Sequence, residues 1–147
     1  QRHRAQVRPA HRSLNGFSVS SPARIMGASS EKLPRARVIR RRTTFTATRE
    51  RGRRTNDRCL TLSILPRDAT ASGAETAEVA FLTPKRIGGA VVRNRLRRRM
   101  REIFRRAAGV TGSDAYLVWI ARPTAASLTF DELRTCMLAL LRRAKRI

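Results

Sequence analysis

The 147-residue sequence predicts an α/β fold: a two-layer sandwich with a small sheet and helices packed on it. Three observations predict it. Two segments, 85–106 and 129–146, place apolar residues at helical spacing. Three stretches, 59–65, 79–82 and 115–121, have strand length and strand patterning. Helical and strand patterns interleave along the chain, and 41% hydrophobic residues suffice for a core.

Residues 1–32 read as a disordered basic extension. Residues 1–31 hold five Arg, two His and many Ser and Ala, and the first acid is Glu31. No apolar core of a secretory signal is present. Three origins fit: an organelle transit peptide, an unstructured RNA-binding arm, or an over-long gene model with Met26 as the true start. Residues 33–147 form the domain. Lys32 to Arg54 is densely basic, with ten Lys or Arg in 23 residues. Pro34 and the β-branched Val38 and Ile39 predict an extended lead-in. A short helix is expected from Thr43 to Arg51, stopped by Gly52. Phe45 is the one aromatic among these cations, placed either to anchor the core or to stack on a base.

Cys59 to Leu65 alternates, with Leu60, Leu62 and Ile64 on one side and Thr61 and Ser63 on the other, which predicts a half-buried strand. Residues 66–78 are rich in Ala, Thr, Asp and Gly and read as a loop. Val79 to Leu82 is a short strand. Lys85 to Arg106 opens on Gly88-Gly89 and then places Leu96, Met100, Ile103, Phe104 and Ala107 on one helix face, while Arg93, Arg97, Arg101 and Arg105 fall four apart on another. Residues 109–114 form a loop, and Ala115 to Ala121 is an apolar strand. The last helix is the best signalled. Thr129 and Glu132 make a capping box, Leu128 and Leu133 a hydrophobic staple, and Leu133, Cys136, Met137, Leu140, Leu141 and Ala144 one apolar face.

The formal net charge is +23. A surplus of this size repels itself and calls for a polyanionic partner, with nucleic acid first. A membrane surface is disfavoured because no apolar run approaches the length of a span. Cys59 and Cys136 lie far apart in sequence, outside any C-x-x-C pair, and read as separate buried thiols. Both histidines, His3 and His11, lie in the extension, and the ten acids are scattered. No catalytic residue and no metal ligand is therefore expected, and a self-sufficient nuclease is the least supported alternative. No helix-turn-helix spacing or heptad points to DNA.

The run GGAVVRNRLRRRMRE at 88–102 closely resembles the signature of the bacterial ribonuclease P protein family. Lys85, Arg86, Gly88, Ala90, Val91, Arg93, Asn94, Arg95, Arg97, Arg98 and Arg101 fall in its register. The flanks agree: Leu33-Pro34, Phe45 and Gly52-Arg53-Arg54 before it, Ile120-Ala121-Arg122-Pro123 and the final helix after it. The resemblance implies the order helix, three strands, helix, strand, helix, with a left-handed crossover through the basic helix (ribosomal-protein-S5-domain-2-like). It also implies a protein cofactor of the ribonucleoprotein that matures the 5′ end of tRNA. In that family a ribonuclease P RNA is the catalyst and holds the magnesium, and the protein itself binds no cofactor.

The resemblance assigns binding of the catalytic RNA to Lys85, Arg86, Gly88, Arg93, Asn94, Arg95, Arg97, Arg98, Arg101 and Arg105. Arginine in such density neutralises phosphate and releases counterions. Gly88 and Gly89 permit positive φ and close backbone approach, and Asn94 can cap the helix start or hold a base or 2′-OH. The 5′ leader of precursor tRNA falls to Arg40, Arg41, Arg42, Phe45, Arg49 and Ser63, in a cleft between the first helix and the sheet. Arg49 and Ser63 stand where the family often has aromatics. The implied location is cytoplasmic, or an organelle if the extension is a transit peptide. The alternative is a ribosomal-protein-like structural RNA binder.

Overall fold

The computed structural model describes residues 32–67, 77–107 and 115–145. The basic extension, most of the loop over 66–78 and the loop over 109–114 lie outside the described residues. The order is α1 (Arg42–Arg51), β1 (Arg53–Asn56), β2 (Leu60–Pro66), β3 (Glu78–Leu82), α2 (Ala90–Arg106), β4 (Ala115–Ala121) and α3 (Phe130–Lys145). The sheet runs β1-β2-β4-β3. Its β1–β2 and β2–β4 pairs are antiparallel, and β3 pairs with β4 in parallel. A parallel pair needs a long connection, and α2 supplies it.

β1 is the strand that residue patterning missed. Its sequence, Arg-Arg-Thr-Asn, has no apolar alternation. It is a strand because Arg53 to Asn56 pair with Ile64 to Thr61 of β2. The lead-in is extended as expected after a 3-10 turn at Arg35–Arg37, and Val38 bridges Val79 while the Ile39 amide donates to the Val79 carbonyl at 3.0 Å. That contact covers part of the outer edge of β3.

Period-2 geometry gives the sheet two faces. One bears Leu60, Leu62, Val79, Leu117, Trp119 and Ala121, and it packs under α2 and α3 with Leu96, Met100, Ile103, Phe104, Leu133, Met137, Leu140 and Leu141. These are the apolar faces expected of both helices. The α3 capping box forms: the Thr129 amide donates to Glu132 Oε2 at 2.8 Å, and the Glu132 amide donates to Thr129 Oγ1 at 3.3 Å. The other sheet face carries Thr61, Ser63, Ala80, Leu82, Tyr116, Val118 and Ile120. Helix α1 crosses its middle, against β2 and β4.

Cys59 and Cys136 are half-buried and not separate. Burial first, then the neighbouring Cys59 and Asp57, push the Cys136 thiol up. Packing of α3 beside β2 brings together two thiols that are distant in sequence.

Gly52 ends α1 as expected. Its backbone is extended at φ −64° and ψ 144°. Glycine is required by close approach: a Cβ there would stand 2.2 Å from the Thr48 carbonyl oxygen and 3.1 Å from that of Ile64. Both obstacles are backbone, so neither can swing aside. Gly52→Ala is expected to destabilise the domain by about 1–3 kcal/mol, the usual range for forced overpacking, read as a lower urea midpoint. An unchanged midpoint would show that α1 can lift from β2 without cost.

Candidate nucleic-acid interface

Two cationic surfaces emerge, on opposite layers of the sandwich. The first is the solvent side of α2. The turn before it, Lys85–Ile87, exposes Lys85 and Arg86. Gly88 follows at φ 143°, the one positive-φ residue among those described. Gly89 is the N-cap at φ −64°, and a Cβ on it would meet nothing within 4 Å. Only Gly88, therefore, uses its conformational freedom. Asn94 lies past the first turn and does not cap the helix. It is exposed, and its Oδ1 accepts from Arg97 Nη1 at 3.3 Å.

The row of arginines four apart does not form one exposed line. At 3.6 residues per turn, positions four apart drift by about 40° at each step. Arg95, Arg98 and Arg101 are exposed and hold no ion pair among the described residues. Arg93 and Arg97 flank the buried face. Arg97 Nη2 donates to the buried Thr83 hydroxyl at 2.8 Å, so part of this side chain is structural. Arg105 is half-buried and donates to both oxygens of Glu102 at 2.7 and 3.0 Å, and Arg106 donates to the same carboxylate at 2.7 Å. The hydrogen bonds from Arg105 and then Arg106 hold the Glu102 carboxyl at about 2. A depressed carboxylate contributes stability above its ordinary value near 4.5, and that contribution is lost as pH falls toward about 2. The pair is thus intact at neutral pH. Ahead of these cations, Val91 and Val92 are exposed, at 72% and 40%. The helix therefore begins with an apolar step followed by guanidinium groups.

The second surface is a groove of about 620 Å³ where α1 leaves one end of the sheet uncovered. Thr61, Ile120 and Leu82 share its floor, adjacent on three neighbouring strands. Arg49, Arg54, Arg86 and Arg122 wall it, with Asn56 beside them. Such a groove offers apolar surface to a base or sugar and guanidinium groups to phosphate.

The residues expected to meet a leader are dispersed. Arg49 lines this groove. Phe45 sits one turn earlier on the same side of α1. It is half-buried and is not among the described side chains packed on the core. Arg40 and Arg41 line a different depression at the other end of the sheet. Arg42 borders the outer side of α1 with Glu50 and Arg51. Ser63 is fully buried beneath α1, with its hydroxyl unpartnered, and reaches no groove. Its neighbour on the same face, Thr61, takes the accessible position. Arg54, Asn56, Thr61, Leu82, Ile120 and Arg122 line the groove without having been expected there. The alternation of β2 did put Thr61 on this face, so that part of the signal was available. Arg86, expected on the α2 surface, also walls the groove and lies where the two surfaces adjoin.

Comparison with known proteins is consistent with this geometry. The family model described as Ribonuclease P matches residues 33–145. The ribonuclease P protein component of Desulfovibrio desulfuricans is 37% identical over 116 residues, covering 78% of this chain and 87% of that protein. That of Acidothermus cellulolyticus is 36% identical over 101 residues, covering 69% and 82%. Among solved structures, the ribonuclease P protein of Thermotoga maritima superposes with a TM-score of 0.64 at 25% identity, covering 72% of this chain and 96% of that one. That of Staphylococcus aureus gives 0.66 at 20% identity, covering 74% and 95%, a likeness of fold alone.

Proposed function

The chain belongs to the ribonuclease P protein family, as protein component of an RNA-catalysed endoribonuclease, and from that premise we propose which surface meets which RNA. The solvent side of α2 docks on ribonuclease P RNA. Arg95, Arg98 and Arg101 neutralise its phosphates, with Lys85, Arg86, Arg93 and Asn94 alongside and Val91 against a sugar or base edge. The groove between α1 and the sheet takes the 5′ leader of precursor tRNA. Leader bases rest on Leu82, Ile120 and the ring of Phe45, and Arg49, Arg54 and Arg122 hold the strand's phosphates. Guanidinium stacks on a base in place of an aromatic ring, which suits Arg49 to this role.

The observation that supports this reading is the difference in form between the two surfaces, which adjoin at Arg86. One cationic layer is convex and helical, fit for folded RNA. The other is a groove with a largely apolar floor, fit for a single strand. Mature tRNA lacks the leader, so groove contacts raise affinity for precursor alone. The protein contributes binding and positioning to tRNA 5′-end maturation. Among the described residues no group of three or more His, Cys, Asp or Glu is placed to hold a metal ion, and in this reading the magnesium ions belong to the RNA. No described helix is long and apolar enough to cross a membrane, and the proposed place of action is the cytoplasm, with the RNA.

Phe45→Ala tests the groove. In a reconstituted holoenzyme it should weaken precursor binding by about 1–3 kcal/mol, the range for one base stacked on one ring, and leave mature-tRNA binding unchanged. Equal loss on both would make Phe45 a packing residue and move the leader elsewhere.

A further inference from the structure

Two thiols take no part in the reading above. Cys59 ends the turn between β1 and β2, and Cys136 stands in the second turn of α3. Both are free and half-buried, and both pack on the core beneath α2 and α3. That core lies on the opposite face of the sheet from α1 and the groove.

Hydrogen bonds from both sides of Cys136 in the chain hold the β1–β2 turn against α3. Before the helix, the Arg122 amide donates to the Cys59 carbonyl at 2.9 Å. In the 3-10 turn at Pro123–Ser127, the Thr124 hydroxyl donates to the Arg58 carbonyl at 2.7 Å. Near the end of α3, Arg143 Nη1 donates to the Asn56 carbonyl at 3.3 Å. Cys136 and Arg143 are seven residues apart, which puts them on one stripe of the helix. Cys136 therefore faces the turn as Arg143 does. The turn is itself braced: the Asp57 amide donates to the Leu60 carbonyl at 2.8 Å, and Asp57 Oδ1 accepts from the Arg58 amide at 2.7 Å. Burial first, then the neighbouring Cys59 and Asp57, push the Cys136 thiol up, so it stays protonated at neutral pH.

We propose that Cys59 and Cys136 form an oxidative modification site, at which hydrogen peroxide converts the thiol pair to a disulfide that staples α3 to the β1–β2 turn. The Cys59 sulfur attacks one peroxide oxygen and the O–O bond breaks. Cys59 becomes a sulfenic acid, and the other oxygen leaves as water with the thiol proton. The Cys136 sulfur then attacks the sulfenic sulfur. The S–S bond forms, and the hydroxyl leaves with the Cys136 proton as a second water. Two thiols are oxidised and one peroxide is reduced. Cys136, held protonated, is the resolving thiol, and Cys59 takes the oxygen first. A cross-link between residues far apart in sequence restricts the unfolded chain. The staple thus strengthens the domain when no RNA offsets its charge of +23. It touches neither cationic surface, and it does not depend on the family's function.

The test treats the reduced full chain with stoichiometric hydrogen peroxide, blocks remaining thiols, and digests it without reductant for mass spectrometry. Wild type, Cys59→Ser and Cys136→Ser are compared. Wild type should give a peptide cross-linked through Cys59 and Cys136 within a monomer. Its urea midpoint should rise, and a thiol reductant should reverse both changes. Cys136→Ser should stop at a sulfenic acid on Cys59, trapped by dimedone, and Cys59→Ser should resist the same treatment. Disulfide-linked dimers in place of the internal cross-link, or separate sulfinic acids on the two cysteines, would overturn the site. A cross-link that leaves the urea midpoint unchanged would overturn its role as a staple. Where a serine variant fails to fold, the wild-type cross-link and its reversal decide the matter alone.

Discussion

Replacing Arg95, Arg98 and Arg101 together by alanine is expected to lower the slope of log affinity against log salt for ribonuclease P RNA by about 2.7, at about 0.9 per phosphate contact. Affinity at low salt should fall steeply, and the fall should narrow as salt rises. Spacing of three turns these side chains outward beside one another, and none holds an ion pair among the described residues, so their loss should barely change folding. Surface arginines of this kind contribute little to stability. Arg97→Ala is a poorer probe, because it also strips the buried Thr83 hydroxyl of its 2.8 Å donor. Binding measured over a salt series with the triple variant checks the point. An unchanged slope would mean that α2 does not meet phosphate through this face.

Phe104→Ala should destabilise the free domain by about 3–5 kcal/mol, the cost of emptying a large aromatic site in a core. Phe104 is fully buried at the centre of the sandwich. It meets Phe81 edge-on at 5.9 Å and 75°, and the Arg37 guanidinium lies 5.4 Å from its ring centre. Few small domains can lose so much, and here a formal charge of +23 already opposes compaction. The variant should therefore be largely unfolded at low salt. It should regain helix on addition of ribonuclease P RNA, since a ligand that binds only the folded state raises its stability. Circular dichroism with and without RNA reads both parts. A variant that stays folded alone would show that the core does not depend on this contact.

Local signals made the helices legible. The capping box at Thr129 and Glu132 and the apolar face behind it define α3, and the spacing from Leu96 to Phe104 defines α2. What local patterning could not show depended on other parts of the fold. β1 has no strand pattern of its own and exists through pairing with β2. Ser63 was placed on the correct face of β2, but its burial depends on where α1 crosses that face. The arginines four apart looked like one row because spacing by four approximates a helical turn, and the drift turns Arg97 toward Thr83. Gly52 was legible as the stop of α1, whereas its need for room beside the Thr48 carbonyl was not. Arg67 sat at the head of an expected loop with nothing local to mark it as buried. The signature at 88–102 identified the family. The lining of the groove came from three strands and a helix, and only the assembled sheet brings Thr61, Leu82 and Ile120 side by side.

The central claim is that this chain works by binding RNA and leaves the chemistry to its partner. The direct measurement is cleavage of precursor tRNA in magnesium at physiological salt by the purified chain, alone and mixed with a bacterial ribonuclease P RNA. No cleavage by the chain alone and efficient cleavage by the mixture are predicted. Robust cleavage without RNA, or failure to stimulate any such RNA, would contradict it.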